Sequence, residues 1–209
     1  MSARDSIFKQ LRGRAREQEM PPAWISRRDF GDPAGRFESA LTAAKGEVVR
    51  APSLAAALDA LGELLRELNA RTVVANAEPP LSGARLEQRW PELEWHIVGE
   101  TAGDLRAFCA RADVGLSGAD AALAETGSII VSSGPGRSRL ATLLPPAHIA
   151  LLSTSALTTD IFTWTAAREG GMPANVNIIS GPSKSADIEV TLAIGVHGPG
   201  RFIVILYTD

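Results

Sequence analysis

Apolar positions along this chain follow two rhythms: helical spacing in some stretches, short unbroken runs in others. Leu54, Leu58, Leu61, Leu65 and Leu68 recur at intervals of four and three after Ser53, a good N-cap, so one face of a predicted helix is apolar. Further helices are predicted over 102–112 and 158–168. The runs 72–75, 94–98, 114–116, 128–131, 148–152, 176–179, 189–196 and 202–207 read as strands. Phe202 to Leu206 is apolar on both faces, as an interior strand of a parallel sheet should be. The alanine-rich 119–124 reads as a small-residue helix or a turn. Strands interleaved with helices predict an α/β layered fold, with no internal repeat.

The first 34 residues differ. Ile7, Leu11 and Ala15 share one face of a basic helix, which Pro21-Pro22 ends. That helix reads as a solvated element or a docking helix for a partner. Residues 23–35 hold Trp24, Phe30, Gly31 and Pro33 without a period, and read as an extended arm that needs something to pack on. The division is therefore a basic helix and arm over 1–34 and one domain over 35–209.

Composition narrows the function. Residues 1–50 carry ten basic and seven acidic side chains, and the remainder eleven and seventeen, for a net charge of −3. Nucleic-acid binding through a basic surface is not expected. No apolar run reaches the ~20 residues of a membrane span, and the start lacks the apolar core of a secretory signal, so a cytoplasmic protein is expected. Cys109 is the one cysteine, and one thiol holds neither an internal disulfide nor an iron–sulfur cluster unaided. His96, His148 and His197 show no paired metal spacing.

Candidate chemistry gathers in glycine-rich turns at strand ends, where α/β sheets bind ligands. Glu125 stands before Thr126-Gly127 at the start of a strand, where a carboxylate can serve as nucleophile or general base or simply pair at a turn. Ser132 to Arg139 offers Arg137 and Arg139 to an anion, or a solvated hairpin. Gly181-Pro182-Ser183-Lys184-Ser185-Ala186-Asp187 joins backbone N–H groups, hydroxyls and a lysine, with Asp187 placed to order them. It lacks Walker A spacing. His197, in Gly195-Val196-His197-Gly198-Pro199-Gly200, is a candidate proton-transfer group or a plain loop histidine. His148 opens a strand and reads as structural.

Four segments together resemble the LUD-domain family: Gly118-Ala119-Asp120 to Ala124-Glu125-Thr126-Gly127, Leu144-Pro145-Pro146-Ala147-His148, Gly181-Pro182-Ser183-Lys184-Ser185-Ala186-Asp187-Ile188-Glu189 and Gly195-Val196-His197-Gly198-Pro199. The resemblance implies a three-layer αβα fold of the ribose-5-phosphate isomerase and CoA-transferase group. It implies a component of a bacterial system that oxidises L-lactate to pyruvate, with iron–sulfur clusters in partner subunits and no cofactor in this chain. Glu125-Thr126-Gly127 is also similar to the Glu-Asn-Gly turn that carries the catalytic glutamate of CoA transferases, with Thr replacing Asn. The readings are thus a subunit of the lactate-oxidising assembly, or a stand-alone enzyme or sensor taking a phosphorylated or CoA-like ligand. The expected site is catalytic Glu125 and His197, with Thr126, Gly127, Arg139, Gly181, Ser183, Lys184 and Asp187 holding an anionic small molecule.

Overall fold

The computed structural model describes residues 3–14, 24–168, 173–185 and 193–209. Helix α1 (Ala3–Arg14) leaves Ile7, Phe8 and Leu11 exposed. Ala15 and the Pro21-Pro22 stop lie outside the described residues. The arm is shorter than its sequence reads. Pro33 opens helix α2 (Pro33–Ala43), where the missing N–H would be unpaired anyway, and the Asp32 carboxylate accepts from Gly35 N at 2.9 Å. Phe37 and Leu41 of α2 are fully buried. Strand β1 (Glu47–Ala51) follows. Neither element is visible in the apolar pattern, because α2 buries only two large side chains and β1 alternates weakly.

Helix α3 (Leu54–Glu67) forms as predicted, Ser53 Oγ accepting from Ala56 N at 3.2 Å. Then come β2 (Thr72–Ala75), the short α4 (Leu86–Arg89), β3 (Glu94–Ile97), α5 (Leu105–Arg111) and β4 (Val114–Ser117). Helix α5 starts after residue 102 because Asp104 caps it, accepting from Arg106 N and Ala107 N. The alanine-rich segment is not a helix, and only Ala124 at its end lies in a turn. It is strand β5 (Ala121–Leu123), which pairs antiparallel with β6 (Ser128–Ser132). After α6 (Arg139–Leu143) and β7 (Ala147–Ser153), the two-residue β8 (Leu157–Thr158) takes the start of the helix predicted from 158. Helix α7 (Ile161–Ala167) begins only where Asp160 caps it. Strands β9 (Val176–Ile179), β10 (Lys184–Ser185), β11 (Ala193–Ile194) and β12 (Arg201–Tyr207) complete the chain. Of the strand predicted over 189–196, residues 189–192 lie outside the described residues and 195–196 are in a turn.

A six-stranded parallel sheet, ordered β1-β12-β7-β4-β2-β3, is the centre of an α/β fold. One face packs Val73, Leu116, Ile149, Leu151, Ile203 and Ile205 against Leu61 and Leu65 of α3. On the other face, Val74 meets Phe108 and Ala141 from α5 and α6. Beside them Ala150, Leu152, Val204 and Leu206 meet Phe37 and Leu41 of α2 and Ile129 and Val131 of a second sheet, ordered β8-β5-β6-β9. Helices thus cover both faces, and the second sheet is spliced into one covering layer. The arm packs onto this layer: Trp24 meets Phe162 edge-on with centroids 4.5 Å apart, and Arg28 pairs with Glu125.

Candidate functional site

Two glycine turns are stitched together beside the starts of β7 and β12. Ser183 N donates to Pro199 O at 2.8 Å, Gly195 N to Ser183 O at 2.9 Å and Gly200 N to Pro146 O at 2.9 Å. Gly181, at φ +96°, lies so close to α2 that a Cβ would sit 2.6 Å from the Ala44 carbonyl oxygen. The same carbonyl accepts from Lys184 Nζ, so the end of α2 fixes both the turn and its lysine. Between the turns and the parallel sheet is a cavity of about 440 Å³. Gly181, Ser183, Lys184 and His197 line it, and His148 and Phe202 form its inner wall. No described carboxylate lines it, although the chain as a whole is acidic. A lysine and hydroxyls against apolar walls suit a small organic anion.

The other predicted residues sit elsewhere. Glu125 is held by Arg28, its backbone carbonyl accepts from Arg36 Nη2 at 2.9 Å, and it does not line the cavity. Thr126 is linked to the cavity indirectly: its Oγ1 is 2.7 Å from Ser128 Oγ, which is 2.6 Å from Ser180 Oγ on the cavity wall. Gly127, at φ +66°, abuts the backbone of α2, where a Cβ would lie 2.2 Å from Leu41 N. Arg139 is exposed at the first position of α6. Asp187 lies outside the described residues.

The structure joins two polar groups whose members the sequence had left apart. The first is His148 with Ser117. Both are fully buried, with His148 Nε2 2.8 Å from Ser117 Oγ. The ring lies over Phe202, centroids 5.2 Å apart. Burial pulls the imidazole pKa down to about 3, so it is neutral at pH 7. The second follows the C-terminal ends of β2 and β4. Arg137 bridges Glu78 at 3.1 Å and Asp120 at 2.6 Å, and Glu78 Oε1 accepts from Gly118 N at 2.8 Å. Burial raises the Glu78 pKa against the lowering influence of Arg137. Gly118 opens a segment already singled out, and Ser117 immediately precedes it. Glu78 carried no local sequence signal, because Gly118 and Arg137, which hold its carboxylate most closely, are about 40 and 60 residues away.

A profile of the LUD domain matches residues 34–207. The chain belongs to the LUD-domain family. Relatives of this LUD-domain protein include the lactate utilization protein C of Halalkalibacterium halodurans, 35% identical over 72% of this chain and 68% of that protein. The lactate utilization protein C of Exiguobacterium sp. is 47% identical over 50% of this chain and 48% of its own length. These matches span about half to two thirds of the relatives. A crystal structure of a DUF162 family protein from Deinococcus radiodurans shares the fold at TM-score 0.57 and 23% identity, covering 88% of this chain and 99% of that one.

Proposed function

We propose that this LUD-domain protein is a component of a cytoplasmic system that oxidises L-lactate to pyruvate, acting with iron–sulfur partner proteins. Its own contribution is to hold a small organic anion in the cavity between the 181–184 and 195–199 turns. The names of its relatives support lactate as the fuel. The observation that carries the role of this chain is the cavity lining: Lys184 and serine hydroxyls with no described carboxylate beside them. Cys109 is buried and its thiol is pushed up to about 11, so it offers no thiolate at neutral pH, and electron transfer is assigned to the partners. The reading gives no step to Glu125, which Arg28 holds.

The test is lactate-dependent reduction of an electron acceptor by the assembly purified from its host, with and without this chain. Omission should abolish the activity. Lys184→Ala should weaken anion binding about tenfold, the equivalent of ~1.4 kcal/mol. An assembly that oxidises lactate at an unchanged rate without the chain would overturn the proposal.

A further inference from the structure

The cavity has a buried end whose chemistry the turns do not explain. His148 forms part of its wall, yet the ring is closed to solvent and Nδ1 has no hydrogen-bond partner. Buried polar atoms are nearly always matched, so an orphan beside a cavity points to a missing partner. The proton inventory says which kind. A neutral imidazole carries one N–H. Were it on Nε2, that nitrogen would donate to Ser117 Oγ. The hydroxyl hydrogen of the fully buried Ser117 and the Nδ1 lone pair would then both be unmatched. With the proton on Nδ1, Ser117 donates to Nε2, and only Nδ1–H is left over. The second arrangement strands one group instead of two.

We propose that His148 Nδ1–H is the recognition donor at the inner end of the cavity, for a carbonyl or carboxylate oxygen of the bound organic acid, and that Ser117 is the positioning residue that keeps the proton on Nδ1. The inference rests on the reading of the cavity as a ligand site and deepens it. The ligand class is an acid whose oxygens reach both the Lys184 side and a neutral donor deep in an apolar wall. Phe202 sets the plane of the imidazole. Because Nδ1 is closed to solvent, a ligand oxygen reaches it only when a lining side chain moves, and Leu143 and Ile178, which line the cavity and are 38% and 44% exposed, have room to do so.

The experiment uses the full chain labelled with ¹⁵N-histidine, and pyruvate as the probe. At pH 7 the His148 nitrogens should show the Nδ1–H tautomer, and saturating pyruvate should shift the Nδ1 resonance. Ser117→Ala should move the tautomer toward Nε2–H, a change that loss of packing alone would not produce. His148→Phe keeps a ring against Phe202 and should weaken pyruvate binding about tenfold. An Nε2–H tautomer in the wild type, an Nδ1 signal unmoved by pyruvate, or undiminished binding by a folded His148→Phe chain would each overturn the proposal. If His148→Phe does not fold, the two wild-type spectra decide. The outcomes separate the two claims. Binding that falls in Lys184→Ala but not in His148→Phe removes the inner donor and keeps the cavity. A wild type that binds no pyruvate removes both.

Discussion

A side chain at position 127 would have nowhere to go. Gly127 is at φ +66° and a Cβ would fall 2.2 Å from Leu41 N, inside backbone that cannot swing away. Gly127→Ala should therefore cost about 3 kcal/mol or more in chemical denaturation, well above a typical point change. In sequence this glycine looks like part of a reactive turn with Glu125. In the fold it is the contact that lets β6 pass under α2. His148 gives a second residue-scale prediction. Its pKa is near 6.5 when unfolded and about 3 when folded. Between those values the unfolded chain binds a proton that the folded chain does not, so stability falls as pH falls, by up to about 1.4 kcal/mol per unit. Unfolding free energies at pH 6.5 and 4.5 should drop about 2 kcal/mol more in the wild type than in His148→Phe. Equal slopes would mean that His148 is not buried in neutral form.

Among the elements, five of the six parallel strands and α3 were legible because each carries its signal locally, in short apolar or β-branched runs or in leucines at helical spacing behind a serine cap; β1, with its weak alternation, was not. The missed elements carry too little apolar pattern of their own and are set by what they pair with or pack against. Strand β5 is made of alanines and a leucine, and it is a strand because β6 pairs with it. Helix α2 shows just two large apolar side chains, but Phe37 and Leu41 fill the space between the main sheet and the second one. Few side chains do much work there, so Phe37→Ala should cost about 3–5 kcal/mol, a large part of the usual stability of a domain. The same substitution should also loosen the site, since the end of α2 supports Lys184 and Gly181 through the Ala44 carbonyl. Hydrogen exchange of the 181–184 turn would check this, with faster exchange in Phe37→Ala at a denaturant concentration where the chain remains folded. The arm makes a weaker contrast. Trp24 is 59% exposed despite its contact with Phe162, and the Arg28–Glu125 pair is solvent-facing, so Trp24→Ala or Arg28→Ala should each cost about 1 kcal/mol or less.

At the scale of the whole molecule, the candidate site was legible in its turns and hidden in its depth. The glycine turns announced Ser183, Lys184 and His197, but nothing local marked His148 and Ser117 as facing each other, because only the β4–β7 pairing brings them together. The same strand connects the cavity to the polar group beyond the sheet. Ser117 bonds His148, while the next residue, Gly118, donates to Glu78. In parallel sheets the crevice where strand order reverses is the usual ligand site. Here that place, between β2 and β4, is closed by Glu78, Arg137 and Asp120. Glu78 is 6% exposed, so its carboxylate depends on Arg137 for compensation. Arg137 is itself about a third exposed, which reduces its contribution, and Arg137→Ala should cost about 2 kcal/mol at pH 7. The sign of the pH dependence follows from burial. Glu78 titrates above its ordinary value when folded, and without Arg137 it titrates higher still. The folded variant then takes up a proton that the unfolded chain, with its ordinary glutamate, does not bind until lower pH. Acidification from pH 7 to 5 should therefore narrow the deficit between Arg137→Ala and the wild type, and Glu78→Gln in the Arg137→Ala background should remove that narrowing. Thermal unfolding of the three chains across that range is the check, and a deficit that stays constant with pH would show that Arg137 acts by packing and not by charge.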